Sequence, residues 1–175
     1  RLYESLKKRL AECGLELHPD KTRIVYCKDD DRRESYPEIS FDFLGYTFRP
    51  RRSKNKYGKY FINFTPAVSN KAKKAMRQTV RDWRMHLKPD KTLEDLSRMF
   101  NPVIRGWLNY YGRFYKSELY SVFVHINQAL VRWVRRTYKK FKRHHRRAIY
   151  WLGSIARRDS KLFVHWQVGV RPAAG

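Results

Sequence analysis

The chain has 175 residues, 42% of them hydrophobic and 15% aromatic, enough for a packed core and too much for a disordered polyelectrolyte. Forty Lys and Arg stand against 16 Asp and Glu, a formal charge of +24 at pH 7, and such an excess points to a polyanionic partner, nucleic acid first. No apolar run approaches the length that spans a bilayer, the first residues lack a signal peptide's pattern, and the two cysteines have no zinc-ligand spacing. A cytosolic protein with reduced thiols and no membrane partner is the expectation.

Leu2, Leu6, Leu10 and Cys13 recur at helical spacing, with Gly14 where a helix end needs a left-handed residue. This helix is already running at residue 1, so a preceding segment is expected. Leu15–Leu17 and Arg23–Tyr26 read as short strands around a turn at His18-Pro19-Asp20. The charged loop 28–34 is expected to be solvated, its Asp29-Asp30-Asp31 run a loop tip rather than a metal site. Phe41–Phe48 alternates as a strand, with Gly45 marking a bulge or a close backbone approach. A basic turn over 49–59 leads to a second strand, Tyr60–Phe64, and hence a hairpin.

Beyond Thr65-Pro66 the period changes to helical. Ser69 is a candidate N-cap before a stripe of Ala72, Met76, Val80, Trp83 and Leu87. Thr92-Leu-Glu-Asp95 resembles a capping box and opens a helix burying Leu93, Leu96 and Phe100. Asn101-Pro102 reads as a fresh N-cap and first helical residue, followed by Ile104, Trp107, Leu108, Tyr111 and Tyr115 on one face. One long helix is expected from Ser117 to Ala148, carrying Leu130, Val134, Tyr138 and Phe141 inward. The tail, with Trp151-Leu152-Gly153 and Leu162–Trp166, is too apolar for a linker. The fold class is therefore α+β: a helix and small antiparallel sheet, then a mostly helical bundle.

The densest charge comprises Arg132, Arg135, Arg136, Lys139, Lys140, Lys142, Arg143, Arg146 and Arg147, and no acid falls between Glu118 and Asp159. A face serving solubility alone would mix signs, so contact with phosphates is the better reading; arginine adds bidentate geometry. Lys71, Lys73, Lys74, Arg77, Arg81 and Arg84 line a second basic face. Among the aromatics, Tyr110 and Phe114 lie off the apolar stripe and are candidates for stacking on unpaired bases, whereas Trp107 is read as core. No hydrolase, P-loop or metalloprotease motif is present, and His18, His86, His125 and His165 read as structural.

Three stretches carry a family resemblance. Gly14-Leu-Glu-Leu-His-Pro-Asp-Lys-Thr22 resembles the palm segment after the catalytic strand of group II intron reverse transcriptases. Phe41-Asp-Phe-Leu-Gly-Tyr-Thr-Phe48 is similar to the motif closing that palm. Asn101-Pro-Val-Ile-Arg-Gly-Trp-Leu-Asn-Tyr-Tyr111 and its basic continuation resemble the maturase-specific region, and Leu162–Trp166 resembles the end of members without an endonuclease module. The resemblance implies the end of a palm over 1–66, a thumb-like bundle over 67–116 and a basic maturase-specific region over 117–175, the last two either separate or one unit. It implies as partners group II intron RNA, the RNA template/cDNA duplex and an upstream fingers–palm portion of the same protein, in a bacterial cytoplasm. Mg²⁺ in an intact polymerase would be held by palm aspartates of a Tyr-x-Asp-Asp motif. That motif does not occur here, so no catalytic residue and no cofactor are assigned to this chain, and it is expected not to polymerise DNA alone. Lys21 matches a lysine that could assist pyrophosphate departure in the complete enzyme. The alternative is a free-standing basic RNA- or DNA-binding module.

Overall fold

The computed structural model describes residues 1–32 and 34–173; Arg33, in the loop read as solvated, lies outside them. The elements are α1 (Leu2–Glu12), β1 (Phe41–Phe43), β2 (Tyr46–Lys54), β3 (Tyr60–Val68), α2 (Asn70–Asp82), α3 (Leu93–Tyr111), α4 (Tyr120–Thr137), α5 (His145–Arg158) and α6 (Val164–Gln167). Short 3₁₀ turns lie at Met85–Leu87, Lys116–Leu119 and Lys139–Phe141. The strands form one antiparallel sheet in the order β1-β2-β3, giving the expected α+β class.

The chain divides into two compact units: Arg1–Phe41 with Arg49–Phe64, and Asp42–Phe48 with the chain from Thr65 onward. In the first unit, α1 ends as expected, with Gly14 at φ +70°, but buries none of its residues. Leu15–Leu17 and Arg23–Tyr26 are not strands. A strand exists by pairing, and here the Tyr26 amide donates to the Glu38 carbonyl at 2.8 Å without a ladder continuing from it. Asp29 Oδ1 instead accepts from the amides of Asp31 and Arg32, and Asp30 Oδ1 from the amide of Ile62 at 3.0 Å, so two of these carboxylates hold backbone. The β2–β3 hairpin forms as expected. Asn55 Oδ1 accepts from the amides of Tyr57 and Lys59, both at 2.9 Å, and closes the turn.

All the buried hydrophobic side chains among the described residues belong to the second unit. Its β1–β2 turn places Leu44 at φ 48° and Gly45 at φ +80°, so the segment read as one strand is a two-residue hairpin. The expected close approach at Gly45 is real: a Cβ there would stand 2.6 Å from the Tyr111 hydroxyl oxygen. Ser69 caps α2 by accepting from the Ala72 amide, and Thr92 and Asp95 form the reciprocal capping box of α3.

Four helical expectations are corrected. The α2 stripe stops before Leu87, because Arg84 turns left-handed (φ 46°) and rotates Met85 into the core, leaving Leu87 half exposed. Asn101-Pro102 does not restart a helix; α3 runs through Pro102, whose ring is on the exposed side, because Phe100 and Ile104 continue one buried face across it. Asn101 is used elsewhere: its Nδ2 donates to the Leu162 carbonyl at 2.8 Å and its Oδ1 accepts from the Val164 amide at 3.1 Å. α3 ends at Tyr111, and Tyr115 sits beyond it in a left-handed conformation (φ 42°).

The fourth correction matters most for function. The helix expected over Ser117–Ala148 is α4, a corner and the start of α5. At Tyr138 the backbone becomes extended (φ −106°, ψ 111°), and its ring meets Trp133 at 5.9 Å, Phe141 at 6.3 Å and Trp151 at 5.1 Å. This cluster buries aromatic surface that a straight helix would leave in water, and breaking the helix separates like charges that would otherwise sit at i,i+4.

The tail completes the core. Phe163, His165 and Trp166 are fully buried, and Asn127 joins them: its Oδ1 accepts from Trp166 Nε1 at 2.9 Å and lies 2.8 Å from His165 Nε2, while its Nδ2 donates to the Val170 carbonyl at 3.1 Å. Since Nδ2 is committed to Val170, Oδ1 is the acceptor for both rings, and His165 carries its proton on Nε2. Burial holds its pKa down to about 3, so the ring is neutral.

Candidate nucleic-acid interface

The cations of the densest segment are carried by three consecutive pieces. Arg132, Arg135 and Arg136 lie on the last turns of α4, Lys139, Lys140, Lys142 and Arg143 on the corner, and Arg146 and Arg147 on the first turn of α5. All except Arg135 are exposed. Arg135 is half-buried and structural in part, its guanidinium donating to the Lys142 carbonyl at 3.1 Å and so bracing the corner. The first turn of α5 holds no acid and no side-chain cap, so its positive helix end adds to the charge of Arg146 and Arg147. No ion pair with an acid involves any of these nine residues among the described ones.

The second basic face, on α2, is engaged differently. Lys74 is exposed, but Lys73 Nζ meets Glu118 Oε2 at 2.8 Å. Arg77 donates to Ser121 Oγ at 2.9 Å, and Arg81 donates twice to Gln78 Oε1, at 3.1 and 2.6 Å. A partner's phosphate would have to compete with Glu118 for Lys73, whereas Arg77 and Arg81 keep their charge uncompensated.

Tyr110 and Phe114 are exposed by 48% and 43%, with their remaining surface turned to Tyr46, whose ring lies 5.4 Å from Tyr110 and 5.9 Å from Phe114. The Tyr46 hydroxyl donates to the Tyr110 carbonyl, and the Tyr110 hydroxyl donates to the Leu44 carbonyl at 3.1 Å. Burial, then the neighbouring Tyr110 and Tyr111, push the Tyr46 phenol pKa upward, so it stays neutral and donating. The aromatic group is a small platform with one face packed and one open. Trp107 stacks at 5.7 Å on Trp83, which in turn stacks at 4.4 Å on Phe100, so it belongs to the packed side of α3 while keeping partial exposure.

A concave feature escaped sequence reasoning. A cavity of about 230 Å³ opens between the end of α2, the Met85–Leu87 turn and α4, with Arg81, Arg84, Arg132, His86 and His125 on its walls. Its members come from two stretches far apart in sequence, 80–86 and 125–132, and the left-handed turn at Arg84 shapes the first of them, so no local motif announces it.

Lys21 is exposed beside the His18 turn of the first unit, where its amide donates to the His18 carbonyl at 3.2 Å. No group of three or more His, Cys, Asp or Glu among the described residues could hold a metal ion. Among the described residues no helix is long and apolar enough to cross a membrane.

Residues 73–151 match the family model of the group II intron maturase-specific domain. No curated protein and no solved structure matches the chain. The matched segment runs from the first turn of α2 into α5 and contains every cation of the corner together with Tyr110 and Phe114. Over these residues the helical unit of this chain is therefore similar to the group II intron maturase-specific domain.

Proposed function

We propose that the chain binds structured group II intron RNA through the α4–α5 corner and favours the folded, splicing-competent RNA over misfolded forms. The observation that carries this reading is the run of nine cations from Arg132 to Arg147, uninterrupted by acid and mounted on an aromatic-braced corner within the maturase-specific domain. The chemistry of splicing belongs to the RNA; the protein contributes differential affinity, which is sufficient to shift an RNA folding equilibrium. Tyr110 and Phe114 supply stacking surface for unpaired bases, and Lys74, Arg77 and Arg81 extend the phosphate contacts along α2.

In a complete polymerase the same helical unit would also grip the RNA template/cDNA duplex. An upstream fingers–palm portion would hold Mg²⁺, and Lys21 would stand near the departing pyrophosphate. This chain supplies the grip and not the metal centre.

The test is binding to a folded group II intron RNA and to a length-matched unrelated structured RNA across a salt series. Tighter binding to the intron that survives at physiological salt supports the maturase reading. Equal affinities that collapse together as salt rises would reduce the domain to a general phosphate binder.

A further inference from the structure

We infer that the cavity between α2, the Met85–Leu87 turn and α4 is a pocket for a single unpaired nucleotide, its phosphate held by Arg81, Arg84 and Arg132 and its base laid on the apolar floor. The inference rests on the RNA-binding reading above and assigns it a specific subsite that shares Arg132 with the α4–α5 corner and Arg81 with the α2 face.

Charge and shape argue together. Three guanidiniums and two imidazoles converge on one cavity, and no carboxylate lines it. Guanidinium forks match phosphate oxygens bidentately, and three around one recess exceed what a solvated surface requires. Two of the three are oriented by the protein. Arg81 is held by its paired bonds to Gln78, and Arg132 Nε donates to the Gln128 carbonyl at 3.3 Å. Arg84 has no side-chain hydrogen bond or ion pair among the described residues, and it occupies a left-handed backbone conformation (φ 46°, ψ 43°) that is costly for any residue with a Cβ. The turn is nevertheless fixed, because Trp133 Nε1 donates to the Lys88 carbonyl at 2.9 Å and the Leu87 amide to the Arg84 carbonyl at 2.8 Å.

The remaining wall is apolar: Val80, Met85 and Ala129 form its floor. A bare phosphate would gain nothing from that floor, whereas a nucleobase would bury a face on it. His125 gives the polar edge. Its Nε2 is buried without a partner, an arrangement that native proteins rarely leave unexplained. Burial, then the charges of Arg132, Arg81 and Arg77, lower its pKa, so the neutral ring can donate to or accept from a base edge.

The experiment uses the full chain and follows the six histidine ring resonances by NMR during titration with adenosine 5′-monophosphate, inorganic phosphate, adenosine and a hexameric single-stranded RNA. The monophosphate and the oligonucleotide should each give a saturable shift at His125 and His86, the monophosphate binding at least tenfold more tightly than phosphate or adenosine. Ala129→Leu, which fills the floor without altering charge, should raise the dissociation constant for the monophosphate at least tenfold while leaving binding of the unrelated structured RNA unchanged. Arg84→Asn, whose residue accepts the left-handed turn, should weaken the monophosphate at least fivefold with unchanged melting. Shifts that grow linearly at all exposed histidines alike, or wild-type affinity in both variants, would overturn the pocket. Discrimination of intron RNA with a silent His125 would sink this subsite alone, and a responsive His125 without RNA discrimination would sink the maturase reading instead.

Discussion

Replacing Asn127 by Leu tests whether the tail is a structural part of the helical unit. The substitution keeps the size of the side chain and removes three hydrogen bonds at once: those from Trp166 Nε1 (2.9 Å) and His165 Nε2 (2.8 Å), and that to the Val170 carbonyl (3.1 Å). All four residues are buried, at 8% exposure or less, so none of the abandoned groups reaches bulk water without displacing the tail. A buried polar group left without a partner costs about 1–3 kcal/mol. Three of them give about 3–9 kcal/mol, and partial loosening of the tail brings the expected loss to the lower part, roughly 3–5 kcal/mol. Against a total stability of about 5–15 kcal/mol this is severe, and at ~2–4 °C per kcal/mol the melting temperature should fall by roughly 6–20 °C. Differential scanning calorimetry gives the shift, and amide exchange at Val170, whose N–H donates to the His165 carbonyl at 3.1 Å, localises it. A fall of less than about 3 °C with unchanged protection at Val170 would refute the claim that Asn127 holds the tail.

The same buried imidazole predicts a pH dependence: with a folded-state value of about 3 against 6.5 when unfolded, His165 binds its proton only on unfolding. Its contribution is complete above pH 6.5 and is lost toward pH 3 at roughly 1.4 kcal/mol per unit, so denaturant titrations at pH 6.5 and 5 should differ by about 2 kcal/mol, a difference absent from His165→Asn. Trp107→Ala removes a half-buried ring from the stack on Trp83, and chemical unfolding should record a loss of about 2 kcal/mol, below the ~3–5 of a fully buried ring. Hydrogen exchange should find α1 and residues 15–40 far less protected than α3 and α4, since the first unit contributes none of the buried hydrophobic side chains; equal protection would contradict that. Neutralising Arg136, Lys139, Arg143 and Arg147 to Gln should lower the slope of log affinity against log salt by about 4 for structured RNA, and raise rather than lower the melting temperature of the free chain.

The fold was legible where a residue's role is local. Ser69 and the Thr92–Asp95 box cap helices because the side chain that satisfies the first amides is three residues from its target, Gly14 announced a helix end with positive φ, and Gly45 a close backbone approach. Legibility failed where a distant partner overrode the local signal. Asn101-Pro102 has the composition of a helix start, but its amide is claimed by Leu162 and Val164, some sixty residues on. Leu15–Leu17 and Arg23–Tyr26 have strand composition without a neighbouring strand to pair with. The long basic helix was broken by Tyr138, which to periodicity is one more inward residue and to the fold is the centre of an aromatic corner. The cationic residues of the interface were visible from charge alone; the pocket at Arg84 was not, because it depends on one left-handed turn.

The corner also limits the repulsion that this charge imposes on the folded chain. Nine cations over sixteen positions repel one another, and the compact state bears that cost in full. Two features limit it. The break at Tyr138 divides the cations among α4, a 3₁₀ turn and α5, so fewer stand at helical i,i+4 spacing than on one rod. Beneath them Tyr138, Phe141 and Trp151 pack ring on ring, and Arg135 turns one of the cations inward to hold the Lys142 carbonyl. Rigid mounting has a functional consequence: side chains whose backbone is already fixed lose less entropy on gripping phosphates than those of a flexible basic tail. A disordered tail with the same composition would match any polyanion. A corner of defined shape presents its charges at fixed spacings; under the proposed function, only an RNA whose phosphates meet those spacings would collect all the contacts, and discrimination between folded and misfolded RNA would then rest on the stiffness of the aromatic cluster as much as on the number of arginines.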